Sequence, residues 1–479
     1  MDVQVLVSGA GPTGLTLALE LARRGVGVRV VDKAAEYFAG SRGDGLQPRT
    51  LEVFDDLGVL DAVFAAGAPP AVTRVHLDGK FAGERRMAEW REPTPAVPYP
   101  NAWFLGQSRT EAILRDRLAE FGVRVELATE LTAFEQDENG VTATLTRGGA
   151  TETVRAAYLV GADGGRSFVR KALGIPFEGT TDESIRMLLG DVRVDGLDHD
   201  FGYWFARADE PMAGIGLTPL SGGDHFQFAT PLDADDSSLA TLQRLFEQYS
   251  GRSDLRLRDL VWSTIWRPNV RLAQRFAQGR VFLAGDAAHV HPPTGGQGLN
   301  TGVQDAYNLG WKLASGDPEL LATYEAERLP VAARVLGVSS ELLRKYTDGA
   351  ADAHERGEET RQLDIGYRGS PLSRDDRARP GSVRAGDRAP DAPVADANGK
   401  QVRLFDLFRG PHATLLAFGG GPAEAEPGVH VHRVLRPGQA VTGDALVDVD
   451  GHAFAAYDVA EGTRVLVRPD GYLREFTAA

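Results

Sequence analysis

Three glycines near the start of the chain have the spacing of a phosphate-binding turn. The segment Gly9-Ala10-Gly11-Pro12-Thr13-Gly14 follows an apolar run at residues 3–7 and precedes apolar residues at helical spacing. In such a unit the first glycine makes the turn, the second lets a pyrophosphate approach backbone N–H groups, and the third lets helix and strand pack closely. The sequence therefore predicts a dinucleotide site at this turn.

A carboxylate follows the second predicted strand at the distance that this type of site requires. The run at residues 28–31 leads into Asp32, which lies 18 residues after Gly14. A carboxylate at this place hydrogen-bonds the ribose hydroxyls of a bound dinucleotide. We therefore predict that Asp32 and the neighbouring Lys33 contribute to the same site.

Two further strand-like runs end in a glycine turn with an aspartate. The middle of the chain carries Gly161-Ala162-Asp163-Gly164, and a later run ends in Ala284-Gly285-Asp286. After the first of these, Ser167 is predicted to cap a short helix that ends at Gly174. Three such motifs in this order predict that all three hold one ligand.

A glycine-rich loop follows the last of these motifs. It reads Pro292-Pro293-Thr294-Gly295-Gly296-Gln297-Gly298-Leu299-Asn300. Thr301 and Gln304 have the spacing of a capping box, so the next helix is predicted to begin at this point. The positive N-terminal end of that helix is therefore predicted to face the loop.

Length and composition exclude several classes of protein. The chain has 479 residues, 42% of them apolar, so two or three domains with buried cores are expected. Its net charge of −15 is spread without a basic stripe, which argues against a nucleic-acid partner. The lack of cysteine excludes disulfides and catalytic thiols, and we predict no metal site. No secretion signal or membrane-spanning apolar run is seen, so a cytoplasmic protein is expected.

The combination of motifs resembles that of the class A FAD-dependent aromatic hydroxylases, the flavoprotein monooxygenases related to para-hydroxybenzoate hydroxylase. The resemblance covers most of residues 1–380. It implies that the first glycine motif binds the ADP half of FAD. It also implies that Asp163, beside Gly164, contacts both FAD and NAD(P)H and that Asp286 contacts a ribityl hydroxyl.

The same resemblance assigns further residues to the cofactor. Ser41-Arg42-Gly43 and Leu105-Gly106-Gln107-Ser108-Arg109 match segments that place an arginine and a glutamine against FAD. The loop contributes Pro293, Gly296, Gly298, Leu299 and Asn300. Backbone N–H groups around the last two would stabilise the negative charge of reduced flavin. Arg42 and Pro293 are the candidate catalytic residues.

The resemblance also predicts an α/β architecture with several parts. A Rossmann-like FAD-binding domain is expected over residues 1–176 and 267–365, with an inserted antiparallel β-sheet substrate domain over residues 177–266. A linker at residues 366–384 precedes a domain at residues 385–479 that resembles the thioredoxin-like domain of phenol and aromatic-polyketide hydroxylases. That domain has no CxxC motif, so disulfide exchange is excluded. A structural or oligomerisation role is left for it, with a homodimer as one option.

The middle segment alternates as an antiparallel sheet does and is rich in aromatic residues. Eleven aromatic residues fall within residues 177–266. They are predicted either to form the wall of a site for an aromatic ligand or to fill the core beneath the sheet. The candidates for substrate contact are Trp204, Phe226 and Phe228.

Together these features predict an FAD- and NAD(P)H-dependent monooxygenase that hydroxylates an aromatic, polycyclic polyketide-type phenol. In the resembled family NADPH or NADH reduces FAD, O2 forms a flavin C4a-hydroperoxide, and the substrate ring attacks its distal oxygen. The small aromatic substrate and O2 are the expected partners. The alternatives are a Baeyer–Villiger-type oxygenase, an antibiotic-inactivating monooxygenase, or a flavin-containing protein that sequesters an antibiotic.

Overall fold

Helices and strands mix along the whole chain, which confirms the predicted α/β class. The computed structural model describes residues 1–232, 235–292, 294–350, 352–419, 424–439 and 443–477. Elements are numbered along the chain, and the helices are α1 (Pro12–Ala22), α2 (Pro48–Asp56), α3 (Leu60–Ala66), α4 (Gln107–Glu120), α5 (Phe168–Ala172), α6 (Leu239–Ser250), α7 (Gly298–Ser315), α8 (Pro318–Thr347), α9 (Leu404–Phe408) and α10 (His452–Tyr457).

The first sheet holds the three predicted motifs at one edge. Its strands are β1 (Val3–Ser8), β2 (Val28–Val31), β7 (Val125–Glu126), β8 (Thr129–Asp137), β9 (Gly140–Arg147), β10 (Ala150–Gly161), β18 (Ala277–Gln278) and β19 (Val281–Leu283). β1 pairs in parallel with β2 and β10, and β10 pairs in parallel with β19. Because parallel strands end at the same edge, the turns after β1, β10 and β19 become neighbours.

Local sequence explains why β1 lies at the centre of this sheet. Val5, Leu6 and Val7 are all at most 1% exposed. A parallel strand that is covered on both faces is apolar at consecutive positions, without alternation. Helix α1 then packs against α7, whose first turn follows the glycine-rich loop.

The second large sheet is antiparallel except where its strand β13 pairs in parallel with β4. Its strands are β4 (Thr73–Leu77), β5 (Lys80–Arg85), β12 (Met187–Asp195), β13 (Gly202–Ala206), β14 (Gly214–Pro219), β15 (His225–Pro231) and β16 (Arg256–Trp266). β4 and β5 come from residues 73–85, so the boundary predicted at residue 177 was wrong on this point. Residues 73–85 leave the FAD-binding part only briefly, to add two edge strands to this sheet. No local sequence pattern indicates that pairing.

Two small sheets connect these units. One contains β11 (Phe177–Thr181), β17 (Asn269–Ala273) and β20 (His289–Val290), and the other β3 (Gly45–Leu46) and β6 (Trp103–Phe104). β11 therefore pairs outside the seven-stranded sheet, although it was predicted to belong to the middle domain. Among the described residues, no helix combines the length and apolar character needed to cross a membrane.

The C-terminal part has its own mixed sheet and core. Its strands are β21 (Arg374–Asp375), β22 (Pro393–Ala395), β23 (Gln401–Arg403), β24 (Ala413–Phe418), β25 (Val429–Leu435), β26 (Leu446–Asp448), β27 (Arg464–Val467) and β28 (Leu473–Thr477). β21 lies inside the predicted linker at residues 366–384 and pairs with β28. Tyr367, also in that segment, is 4% exposed and stacks near Tyr472. The segment is thus packed against the C-terminal sheet rather than free, and a thioredoxin-like fold for that sheet stays a prediction.

Candidate cofactor and substrate site

The first glycine turn needs two of its glycines for close packing. Gly9 has a φ of +108°, and a Cβ there would lie 2.2 Å from the carbonyl oxygen of Ala162 in the second motif. A Cβ on Gly14 would lie 2.0 Å from the carbonyl oxygen of Gly9. Any side chain at either position would therefore force the turn and the neighbouring strand apart.

The middle of the same turn is open. A Cβ on Gly11 would have no heavy atom within 4 Å, apart from its chain neighbours. Helix α1 starts at Pro12 with Gly11 as its N-cap, and no side chain caps this end. Thr13 instead packs under the third motif, where a Cβ on Gly285 would lie 2.5 Å from its Oγ1. The uncapped helix end is a site for an anion.

A cavity of about 420 Å³ lies where the first two motifs meet the end of β2. The predicted cofactor residues that line it are Gly9, Gly11, Asp32, Lys33, Arg42, Gln107, Asp163 and Gly164. The two oxygens of Asp32 accept hydrogen bonds from the backbone N–H groups of Ala10 (2.8 Å) and Ala34 (2.9 Å). Each carboxylate oxygen can accept a second bond, so Asp32 still has capacity for a ribose hydroxyl.

The two carboxylate oxygens of Asp163 differ: one is hydrogen-bonded within the protein, and the other is not. Its Oδ2 accepts from the backbone N–H groups of Phe168 (2.7 Å) and Val169 (3.2 Å) at the start of α5. Its Oδ1 is buried and has no hydrogen-bond partner among the described residues. A buried carboxylate oxygen without a donor is costly, so a hydroxyl or N–H of a bound ligand is expected to complete it. Gly164, with a φ of +79°, makes the turn beside it.

Arg42 and Gln107 reach the same cavity from different segments. The Cζ of Arg42 lies 4.5 Å from the ring centroid of Phe38. Gln107 opens helix α4, and its side-chain Nε2 donates to Glu111 (2.7 Å). Both predicted residues therefore stand beside the glycine turn, although they are 65 residues apart in the chain.

Asp286 of the third motif does not itself line this cavity. Its side chain is exposed, yet the surrounding protein raises its pKa by desolvation, against the opposing charges of His289 and Arg42. Because the charge of Arg42 acts on Asp286 and Arg42 lines the cavity, the third motif lies within electrostatic range of the first two.

The glycine-rich loop leads directly into helix α7. The helix begins at Gly298 with Gln297 as N-cap, four residues before the predicted cap at Thr301. Thr301 lies within the first turn and donates its Oγ1–H to the carbonyl of Gln297 (2.9 Å), so the predicted capping box was wrong. The N–H groups of Gly298 and Leu299 lie in the first turn, where no helical carbonyl can accept them. Pro293 lies outside the described residues.

Asn300 fixes the loop against a neighbouring segment. Its Oδ1 accepts from the backbone N–H of Gln47 (2.8 Å), and its Nδ2 donates to the carbonyls of Gly45 (2.8 Å) and Gly296 (2.7 Å). The side chain is fully buried. Asn300 therefore shapes the loop, and Gly296, with a φ of +61°, makes the turn into it.

A buried ionic network supports the same loop from below. Asp305 accepts hydrogen bonds from His289 (2.6 Å), Arg328 (2.7 Å) and the backbone N–H of Gly285 (3.0 Å). Arg328 and His289 together lower the pKa of Asp305, although burial opposes them. The network joins the third motif to α7 and α8, which makes His289 a structural residue.

A second cavity of about 750 Å³ lies over the other large sheet. Trp204 lines it, and Thr294 of the glycine-rich loop reaches it. Phe226 and Phe228 do not line it: they are 1% and 0% exposed and pack in the core on the α6 side. Alternation along β15 puts both rings on one face, while Ala229 faces the cavity; of the two alternatives that the sequence left open, the structure places Phe226 and Phe228 in the core.

Comparisons with known proteins agree with this geometry. The family model described as "FAD binding domain" matches residues 2–339. The chain belongs to this FAD-binding family.

A flavin-dependent monooxygenase from Mycobacteroides abscessus is 47% identical over 99% of this chain and 97% of the relative. The pentachlorophenol 4-monooxygenase from Sphingobium chlorophenolicum is 33% identical over 98% and 93%. The crystal structure of aklavinone-11 hydroxylase with FAD and aklavinone superposes with a TM-score of 0.81 at 29% identity, covering 100% and 96% of the chains.

These findings confirm the family resemblance and the prediction of an FAD-dependent enzyme of the monooxygenase type. They also agree with the chemistry of the first cavity, which suits a bound FAD. The open space at Gly11, the uncapped start of α1 and the unpartnered Oδ1 of Asp163 all suit a phosphate- and hydroxyl-bearing cofactor. The residues that line this cavity in the monooxygenase therefore fit FAD.

Sequence reasoning missed the residues that position Arg42 in this monooxygenase. The preceding Ser41 donates its backbone N–H to Asp191 of β12 (2.6 Å). Its carbonyl accepts from Gln227 of β15 (2.8 Å), and its Oγ accepts from the backbone N–H of Gln107 (3.2 Å). Asp191 stands in the apolar run of β12, and a lone acid there was the signal that could have found it.

Replacement of Asp191 by asparagine is expected to change how stability depends on pH. Burial raises the pKa of Asp191 to about 7, against the hydrogen bond from Ser41. A folded-state pKa above the unfolded value means that stability is lost as pH rises from about 4 to about 7. Asparagine still accepts from Ser41 but cannot ionise. We expect the unfolding free energy of D191N relative to wild type to increase by on the order of 1–2 kcal/mol between pH 5 and pH 8.

Denaturant titration at both pH values measures this difference. Titrating groups that do not interact with Asp191 cancel between the two proteins; Asp44, whose pKa burial raises to about 6, interacts with Asp191, so the double comparison is repeated in an Asp44→Asn background. A constant difference between the two pH values would contradict the argument.

Proposed function

We propose that the protein is an NAD(P)H-dependent FAD monooxygenase that hydroxylates a polycyclic phenol. The observation that carries the proposal is the connection between the cofactor cavity and the sheet that bears the larger cavity: Arg42 lines the first, and the adjacent Ser41 is bonded to Asp191 and Gln227 of that sheet. The first two strand-end motifs line the smaller cavity, and Thr294 of the glycine-rich loop lines the larger one. A cofactor extending from the first cavity to this loop would present its reactive ring to a substrate in the second.

The residues of the first cavity divide the work of holding FAD. Gly11 and the start of α1 would receive the pyrophosphate, and Asp32 would accept from the ribose. Oδ1 of Asp163 would accept from a hydroxyl or amide of the cofactor. When bound, FAD supplies the redox chemistry, since it can accept a hydride and activate O2.

The start of α7 and the side chain of Arg42 supply positive potential near the reactive end. A helix N-terminus carries the equivalent of about half a positive charge, and its N–H groups are already oriented. The first turn of α7 would therefore favour negative charge on the flavin ring without reorganisation. Asn300 holds this turn in place through its three hydrogen bonds.

The larger cavity fits an aromatic ligand of several rings. Its volume of about 750 Å³ falls within the range of sites that enclose drug-sized ligands. Trp204, Trp266 and Tyr346 contribute flat apolar walls. Such walls would exclude water from the reacting ring, which limits wasteful breakdown of the activated oxygen.

Stopped-flow spectroscopy of flavin reduction tests the proposal. The FAD-loaded protein is mixed with NADPH or NADH, alone and with a panel of polycyclic and single-ring phenols. We expect polycyclic phenols to accelerate reduction and to be recovered with one added oxygen atom. Reduction that no phenol accelerates, with unmodified phenols after turnover, would contradict the proposed reaction.

Replacement of Arg42 by alanine is expected to slow flavin reduction or to divert reduced flavin to hydrogen peroxide. Arg42 lines the cofactor cavity and lies close enough to lower the pKa of Asp286 against its burial. Its removal takes away a cation beside the flavin. The measurement is the ratio of peroxide formed to NADPH consumed, with Arg42→Lys as the charge-preserving control. Wild-type coupling and wild-type reduction rates in R42A would remove Arg42 from the mechanism.

A further inference from the structure

The larger cavity carries positive charge without a compensating carboxylate. Four arginines line it, namely Arg85, Arg86, Arg186 and Arg356, whereas no aspartate or glutamate does so among the described residues. This is unexpected in a chain with a net charge of −15. Arg186 is neutralised by Asp235 at 3.2 Å, and Arg86 is exposed. The charge of the cavity wall therefore rests on Arg85 and Arg356.

These two arginines lack ionic partners in the part of the chain that the structure describes: no carboxylate oxygen lies within 4.0 Å of either guanidinium. The Cζ of Arg85 lies 5.4 Å from the ring of Trp204. Arg356 donates its Nη1 to the carbonyls of Ala353 (3.0 Å) and Glu355 (2.9 Å). Its Nε is buried and has no acceptor among the described residues.

His354 completes this end of the cavity as a neutral group. Its ring lies edge-on to Trp204 at 5.7 Å, and its Nε2 is buried without a partner among the described residues. Burial, together with the charges of Arg85 and Arg356, lowers the pKa of His354 to about 4. The imidazole is therefore uncharged near neutral pH and can donate or accept one hydrogen bond.

The polar atoms of Trp204 and Tyr346, beside this cluster, are already hydrogen-bonded within the protein. Trp204 donates its Nε1–H to the carbonyl of Pro211 (3.0 Å), and Tyr346 donates its hydroxyl to the carbonyl of Met212 (2.9 Å). They offer apolar faces to a ligand rather than hydrogen bonds. Among the described residues that line the cavity, the buried side-chain polar atoms without a partner are thus Nε of Arg356 and Nε2 of His354.

Two like charges in a partly desolvated cavity raise the free energy of the unliganded protein. Burial lowers the pKa of Arg85, and Arg356 lowers it further against the opposing effect of Tyr346. Burial also lowers the pKa of Arg356, against the opposing charge of Glu359, which lies beyond ion-pair distance. An anion that accepts hydrogen bonds from both guanidiniums would remove this penalty, and charge-assisted bonds to arginine are among the strongest in proteins.

We propose that the substrate carries an oxyanion attached to its aromatic ring system, and that Arg85 and Arg356 bind it. The oxyanion is a carboxylate or an ionised phenol or enol, and Trp204 lies along the adjoining ring. This deepens the proposed function, on which it rests, by naming the charge of the substrate. Arg85 and Arg356 are specificity-determining residues at the wall of the cavity.

Calorimetric titration of the FAD-loaded protein with matched probes tests this without any turnover. One pair is anthraquinone-2-carboxylate and its methyl ester, and the other is 2,4-dinitrophenolate and 2,4-dinitroanisole. We expect at least one anion to bind about tenfold more tightly than its neutral partner, as one charge-assisted bond implies. The first pair reports on a carboxylate and the second on an ionised phenol. Equal affinities within both pairs would overturn the proposal.

Substitutions of Arg85 and Arg356 test whether these residues cause the preference for the anionic probes. Arg85→Gln and Arg356→Gln should each reduce the preference for the anion to about threefold or less, because each removes part of the acceptor site. Arg74→Gln is the control for net charge, since Arg74 pairs with Glu84 (3.4 Å) on the neighbouring strands and does not line the cavity. It should leave the preference unchanged. Preference retained in both R85Q and R356Q would overturn the assignment.

These measurements separate this inference from the proposed reaction. Binding of the probes requires neither NADPH nor O2. A protein that prefers the anions but never hydroxylates a phenol would support the anion site and contradict the reaction. Lysine substitutions at the two positions keep the charge without the planar fork, so they maintain the test if the glutamine variants fold poorly.

Discussion

Replacement of Gly11 by valine is expected to give a folded protein that no longer binds FAD. A Cβ at this position meets no protein atom within 4 Å, and the position lines the smaller cavity at the start of α1. The new side chain would therefore occupy the volume that the pyrophosphate needs without disturbing the turn. We expect FAD affinity to fall by about 100-fold or more, which corresponds to roughly 2.8 kcal/mol. The measurement is a flavin titration of the apoprotein, beside its thermal unfolding curve.

Two other glycines provide the matched comparisons. Gly337 lies exposed in α8, where a Cβ also meets nothing within 4 Å, so Gly337→Val should leave FAD binding unchanged. Gly14→Ala should instead destabilise the fold, because its Cβ would lie 2.0 Å from the carbonyl oxygen of Gly9. A yellow G11V protein with wild-type flavin affinity would show that the pyrophosphate does not lie at this turn.

The cofactor site was accessible from the sequence because its signals are local. A glycine in a tight turn and a carboxylate at a strand end leave fixed spacings, and parallel pairing of β1, β10 and β19 follows from their apolar runs. The amino-acid pattern alone is therefore enough to predict that Gly9, Asp32 and Asp163 share one site. Arg42 and Gln107 required the family resemblance, because nothing in their local pattern points to a cavity.

The substrate side was less accessible because its signals depend on tertiary placement. Alternation in β15 distinguishes two faces but does not say which one meets a ligand, and the larger rings of Phe226 and Phe228 went to the core. Arg85 and Arg356 reach the same cavity from strands and segments 271 residues apart. Helix α7 also began earlier than its capping pattern indicated: it starts at Gly298 with Gln297 as N-cap and no side-chain capping bond, so no capping residue marks its start in the sequence.

The C-terminal part is joined to the FAD-binding part by a buried ionic cluster that no motif signals. Its centre is Glu327 of α8. The carboxylate of Glu327 accepts from Arg468 (2.7 Å and 3.0 Å), Lys312 (2.7 Å), Asn308 (2.7 Å) and Ser370 (2.6 Å). Arg468 and Lys312 hold the pKa of Glu327 well below its usual range, although burial alone would raise it. The negative charge of Glu327 is thus balanced by two buried cations and two further hydrogen-bond donors.

Replacement of Glu327 by glutamine is expected to destabilise the protein by about 3 kcal/mol, because the buried Lys312 loses its ionic partner and Arg468 keeps only Asp470. Glutamine preserves the volume, so the loss reports on charge rather than on packing. The measurements are the free energy of unfolding for the first transition in urea and the rate of proteolysis of the C-terminal part.

The control is Glu341→Gln on the same helix, where an exposed glutamate pairs with Arg344 at 2.7 Å. Solvent screens that pair, so its loss should be small. Equal effects of the two substitutions would mean that the cluster does not hold the C-terminal part in place, and its buried charges would then be a consequence of the packing rather than its cause.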